Sequence, residues 1–194
     1  MSHYDGVSPD LSGRGEHEFK VPDGLPGKSV VMEAWAGMLS RGFRVHGVRG
    51  TDQKVWDEFL GDSGLGRGRS HILLPVGVYS LLRVRGGVRK PGRWHIRWLP
   101  TQSLSELAAE NTGDASHIFS LDTPGIRVAV EFGDAGGCLA LYDRDGKQRR
   151  VVTQHTDKFR DVVTIPDAGL VAVQGSSLKW GPMNPWSLRV LKGA

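Results

Sequence analysis

Five blocks in the first half of the chain recur in the same order in the second half, and a duplicated unit constrains the fold more than any local motif does. His17-Glu18-Phe19-Lys20-Val21 aligns with His117-Ile118-Phe119-Ser120-Leu121, and Gly42-Phe43-Arg44-Val45-His46 with Gly137-Cys138-Leu139-Ala140-Leu141. Ile72-Leu73-Leu74-Pro75 aligns with Val163-Thr164-Ile165-Pro166, and Gly77-Val78-Tyr79-Ser80-Leu81 with Gly169-Leu170-Val171-Ala172-Val173. The last block is Trp94-His95-Ile96-Arg97-Trp98-Leu99 with Trp186-Ser187-Leu188-Arg189-Val190-Leu191. The offset drifts between blocks, as loops of unequal length make it do. Two homologous units are expected, residues 15–100 and 113–194, with a flexible tail at 1–14.

Within each unit the pattern is that of short strands. Ile126, Val128, Val130 and Phe132 share one face of an alternating run, and Arg127, Ala129 and Glu131 the other. In Arg93-Trp94-His95-Ile96-Arg97-Trp98 the indoles and Ile96 face one way, and Arg93, His95 and Arg97 the other. Residues 29–35 alternate in part, and 55–60 read equally as helix or strand. Asp143-Arg144-Asp145-Gly146 reads as a hairpin turn with glycine in a left-handed position. Glycine supplies 27 of 194 residues, about twice the usual share, with no G-X-Y period. Gly27 with Gly125, Gly42 with Gly137 and Gly77 with Gly169 fall at matching turns. The fold expected is all-β: two tandem antiparallel β-sandwich, jelly-roll-like units of about six or seven strands each. Between them, residues 101–112 are expected to form a short helical linker. Ser103 and Glu106 have capping-box spacing, and the run from Leu104 to Glu110 favours helix up to Gly113.

Several chemistries lack their residues. No apolar run is long enough for a transmembrane helix. The first 15 residues lack the basic start and apolar centre of a signal peptide, so a cytoplasmic location is expected. One cysteine, Cys138, excludes an intrachain disulfide and a Cys-rich zinc site; in its apolar strand it is expected to be a small buried hydrophobe. The seven histidines lack zinc-site spacing. Asp143, Asp145 and Gly146 start a calcium-loop pattern, but Gln154 stands where the closing glutamate belongs. The Gly64 to Ser70 stretch matches neither phosphate-binding fingerprint and reads as a loop. No nucleophile elbow is present. No cofactor, no metal and no enzymatic activity are expected.

The net charge of +4 is unevenly placed. From Ser63 to Ser105 there is no acid, and Arg83, Arg85, Arg89, Lys90, Arg93 and Arg97 lie on or between two strands that a short loop would set side by side. One positive face with Trp98 at its edge follows, and with Trp180 as an exposed aromatic these are the candidate ligand-binding residues. Such a face suits a protein partner or an anionic polymer. Few aromatics interleave with the arginines, so nucleic acid is not favoured. Trp35, Trp94 and Trp186 hold repeat positions and are expected in the cores.

Gly77, Tyr79 and Leu81 followed by Gly92, Trp94 and Ile96 resemble the end of pre-peptidase C-terminal-type β-sandwich modules and related small β-sandwich repeats of actinobacterial proteins. The pattern weakens in the second unit to Gly169, Val171, Val173, Trp186 and Leu188, and the strand and turn from Leu139 to Gly146 also resemble that family. The resemblance implies modules that are non-catalytic and assist binding, attachment or folding. A non-enzymatic binding, adaptor or structural role is therefore expected. The alternatives are a carbohydrate- or anionic-polymer-binding module and an enzyme with its site at the unit interface.

Overall fold

The alternating runs form strands throughout. The structure, a computed structural model, describes residues 10–37, 42–51, 54–63, 68–86, 92–175 and 184–191. The first unit contains β1 (Leu11–Arg14), β2 (His17–Lys20), β3 (Ser29–Ala36), β4 (Phe43–Thr51), β5 (Lys54–Asp62), β6 (Ser70–Pro75), β7 (Leu81–Gly86) and β8 (Arg93–Pro100). The second contains β9 (Glu110–Gly113), β10 (His117–Leu121), β11 (Ile126–Phe132), β12 (Gly137–Tyr142), β13 (Gln148–His155), β14 (Phe159–Ile165), β15 (Gly169–Gly175) and β16 (Trp186–Leu191). The ambiguous 55–60 segment is thus strand, as is its counterpart in β13.

Each unit is two four-stranded antiparallel sheets. Their orders are β1-β8-β3-β6 with β2-β7-β4-β5, and β9-β16-β11-β14 with β10-β15-β12-β13. The strand order is the same in both units, and it is that of an eight-stranded jelly roll. Each sandwich has its own core. Met32, Phe43, Leu74, Leu82, Trp94 and Ile96 anchor the first, and Val130, Phe132, Leu139, Leu141, Ile165 and Leu188 the second.

The cores repeat one packing device that no motif announced. Trp94 lies opposite Gly13, and Trp186 opposite Gly113. In each case the indole covers the space a Cβ would need. Its Nε1 then donates to a carbonyl two residues on, that of Gly15 at 3.0 Å and of Ala115 at 2.8 Å. The aromatic at the third contact also recurs, Phe19 against Trp94 and Phe119 against Trp186.

The ladders correct the alignment in two blocks. Val84 pairs with His17 and Val45, and Val173 with His117 and Leu139, so Leu82 corresponds to Val171 and Tyr79 does not. Likewise Phe43 corresponds to Gly137, not to Cys138. A one-residue slip exchanges the faces of a strand, which is why Phe43 is buried while Cys138 is only half-buried on the outer face. The corrected register exposes a volume exchange. Ala36 and Phe43 in one core stand where Phe132 and Gly137 stand in the other, and Gly137 leaves room for the Phe132 ring.

The helical linker does not form. Thr101–Ser103 is one 3-10 turn, and Ser103 Oγ donates to Pro100 O (2.8 Å) rather than capping a helix. Beyond it the backbone runs extended along β10: Leu107 N–H donates to Ser120 O and Ser120 N–H to Ser105 O, both 2.9 Å. The extended path buries Leu104 at the contact between units and Leu107 in the second core. It also covers an open sheet edge, which a two-turn helix with a costly nucleus would not do. The second unit begins at Glu110, and the first at Leu11 inside the expected tail.

The units dock head to tail. Val31, Leu73 and Leu99 on the outer face of β8-β3-β6 pack against Ile118, Leu170, Ala172 and Tyr142 on the outer face of β10-β15-β12. Lys28 pairs with Asp145 across this seam at 2.7 Å. The expected Asp143 to Gly146 turn is present, with Gly146 at φ +81° and its Cα against Ser29.

Candidate functional site at the seam between the units

Alternation along β3 turns Val31, Glu33 and Trp35 to the outer face, and the second unit covers only the Val31 end. Glu33 stands at the mouth of the seam with its side chain only 9% exposed. A carboxylate so enclosed must be paired. Arg69 Nη1 donates to it at 2.9 Å, Arg97 Nη2 lies 2.7 Å away and His71 Nε2 3.8 Å.

His71 ties this cluster to the second unit. Its backbone N–H donates to Ser116 O at 2.8 Å. Its Nδ1 lies 3.3 Å from Ile118 N and 3.4 Å from Ile118 O, so either tautomer finds a backbone partner across the seam. Its ring stacks on His117 with centroids 4.0 Å apart. Burial pushes His117 down to about 4, with the neighbouring His71 adding to it and Glu33 opposing. Burial also lowers His71, against the pull of Ile118 and Glu33. Both rings are neutral at pH 7, and a stacked pair tolerates that state best.

Beside this row lies a second. The Arg69 guanidinium sits 4.7 Å over the Trp35 ring, and Trp35 stacks on His95 at 5.1 Å and 10°. Trp35 is therefore a half-buried surface residue, not the core residue expected, because its parity matches Glu33 and not Trp94. At the far edge Arg14 and Arg93 lie directly opposite one another, both exposed on the outer face.

The single positive face expected from the sequence is divided. β7 and β8 are consecutive but belong to opposite sheets, so Arg83 and Arg85 face away from Arg93 and Arg97. Arg83 is held by Glu18 (2.5 Å) and Asp57 (3.1 Å), Arg85 by Asp57 (2.5 Å), and His46 Nδ1 is 3.0 Å from Asp57. Burial, with Arg85 and Arg44 adding to it, lowers His46 against the pull of Asp57. Trp98 is in the core of the first unit, not at the edge of a charged face. Arg89, Lys90 and Trp180 lie outside the described residues.

Between residues 68–69 of the first unit and β9 of the second runs an open slot of about 390 Å³, with Phe119 and Trp186 on its apolar side. Among the described residues no group of three or more His, Cys, Asp and Glu is placed to hold a metal ion. None of the described helical segments is long and apolar enough to cross a membrane.

Of this site, the sequence reading named Arg93 and Arg97. It missed Glu33 on β3, Arg69 and His71 around the start of β6, and His117 on β10, three segments far apart in the chain. Glu33 left one signal: it is the only charge in the Ser29–Ala36 strand. The chain matches no family model and no curated protein sequence.

Proposed function

We propose that this protein is a non-enzymatic binding module, an adaptor whose contact surface is the uncovered part of the β1-β8-β3-β6 outer face. The observation that carries this reading is its charge. Arg14, Arg69, Arg93 and Arg97 share that face, with Glu33 between Arg69 and Arg97. The partner that suits such a face presents clustered carboxylates, as an acidic protein surface does. The resemblance to small β-sandwich modules that assist binding or attachment points the same way.

The test is retention on immobilised polyglutamate over a salt series. The full chain should bind, with affinity falling as salt rises, and Arg14→Ser with Arg93→Ser should weaken binding by about tenfold, roughly 1.4 kcal/mol. Arg144→Ser, which alters an exposed pair with Asp122 in the second unit, is the control. Equal binding by the double variant and the wild type would remove this face from consideration. Much tighter binding to a sulfated polysaccharide would favour the anionic-polymer alternative.

An enzyme at the unit interface has one observation in its favour, the His71–His117 pair beside a slot. Against it, His71 turns one nitrogen to Ile118 and the other to Glu33, so the pair fastens the seam rather than presenting a base to a substrate.

A further inference from the structure

The slot at the seam carries a second proposal, which shares Arg69 with the basic face but rests on a different ligand chemistry. Its volume of about 390 Å³ falls within the ~300–1,000 Å³ of small-molecule sites. Its walls come from different units and bear opposite charge. Arg69 is on one wall, and Glu110 and Asp114 are on the other. The walls approach closely at one end, where a Cβ added to Gly68 would lie 3.1 Å from Asp114 Oδ1.

The opposed charges nevertheless do not close on one another. Among the described residues the ion pair of Arg69 is with Glu33, and its guanidinium plane rests on Trp35. Half of its side chain, 51%, remains exposed. Glu110 and Asp114 are exposed and pair with no cation among the described residues. The slot thus keeps a fixed guanidinium fork and two carboxylates apart. Phe119 and Trp186, packed edge to face at 85° and more than nine-tenths buried, form the floor of its apolar side.

That layout discriminates among ligands. A simple anion meets two carboxylates, a simple cation meets a guanidinium, and an uncharged apolar molecule leaves all three groups unserved. A molecule carrying both charges satisfies both walls. We propose that the slot binds a small zwitterion of amino-acid type. Its carboxylate sits on Arg69, its ammonium between Glu110 and Asp114, and its apolar body toward Phe119 and Trp186. The bidentate geometry of guanidinium and carboxylate suits Arg69, and its anchoring by Glu33 and Trp35 removes ordering cost from the binding step.

The experiment titrates the full chain with the standard amino acids at millimolar concentration, read by saturation-transfer NMR. The strongest binder is then compared with its N-acetyl and carboxamide forms. The expected result is saturable binding of at least one amino acid with an apolar or aromatic side chain, weakened about tenfold or more by removing either charge. Asp114→Asn, an exposed change, should weaken binding of the free amino acid and leave its N-acetyl form unaffected. Arg69→Gln should weaken binding of the free amino acid and leave its carboxamide unaffected, a pattern that a loss of folding does not produce. The proposal is overturned if no amino acid binds, or if either blocked form binds as well as its parent. Arg14→Ser with Arg93→Ser should leave amino-acid binding intact, so failure here and failure of the adaptor reading are separately visible.

Discussion

Replacing Gly113 by alanine tests the packing device that the two units share. The new Cβ would lie 2.6 Å from Trp186 Cζ2 and 3.0 Å from Cε2, against about 3.5–4.0 Å for carbon atoms in contact. The indole cannot simply withdraw. Its Nε1 donates to Ala115 O at 2.8 Å, and Phe119 packs against its face. Either the ring shifts and leaves a buried N–H unpaired, or β9 parts from β16. Overpacking of this kind costs about 1–3 kcal/mol, and an unpaired buried donor about the same. The lower entropy of the unfolded alanine chain offsets about 0.4–1 kcal/mol. A net destabilisation of about 1–3 kcal/mol is expected for Gly113→Ala. Gly13→Ala, whose Cβ would meet Trp94, should behave alike because the geometry repeats. The two sites lie in different cores, so the double variant should sum the single effects to within about 0.5 kcal/mol. Urea unfolding followed by circular dichroism measures all three. In a Trp186→Phe background, which trims the ring that clashes, the cost of Gly113→Ala should fall markedly. A Gly113→Ala variant as stable as the wild type, or one whose cost ignores Trp186→Phe, would refute the reasoning.

Two further outcomes follow from the seam. The unfolded chain protonates His117 near pH 6.5 and the folded protein only at about 4, so the folded state disfavours the charged ring. Stability should therefore be full above pH 6.5, fall between pH 6.5 and 4 by at most about 1.4 kcal/mol per pH unit from this group, and level off below. His117→Phe should flatten that part of the profile when unfolding free energies of the two proteins are compared across pH, and parallel profiles would count against it. Gly146→Ala, at φ +81° with its Cβ pressed to 2.5 Å from Ser29 Cβ, should cost roughly 1–3 kcal/mol in chemical denaturation, because both backbone and space oppose a side chain there.

The parts of the fold that were legible are those fixed by side-chain alternation. The faces of β8 and β11 follow from reading every second residue, and so does the Asp143 to Gly146 turn from its composition. Their repetition in order located two units and a jelly-roll class. Register was not legible in β4 and β7, because the loops before them differ in length between the units and a glycine-led block aligns nearly as well one or three residues away. Residues 101–112 misled because helix propensity is local, while the burial of Leu104 against Val31 and Leu170 is not. The seam site was mostly hidden for the same reason. Glu33, Arg69, Arg97 and His117 share no spacing, and only the crossing of β3, β6 and β8 with the start of β10 brings them together. The basic stretch was real as composition but not as one surface, since β7 and β8 belong to opposite sheets.

The docking of the units also bears on how units of this kind could stack. One sheet face of the first unit meets a different face of the second, an arrangement with no two-fold axis and hence no natural end. A third unit bearing the same two faces would extend the stack, and a fourth would extend it again. The two faces turned away from the seam carry charges where the seam faces are apolar. One carries Glu18, Asp57, Arg83 and Arg85, and the other Arg127, Glu131, Arg160 and Arg189, where the seam carries leucine, valine and isoleucine. Covering either of those outer faces with an apolar sheet like that of the seam would bury their charges, so the kind of contact that joins these two units is not repeated on them.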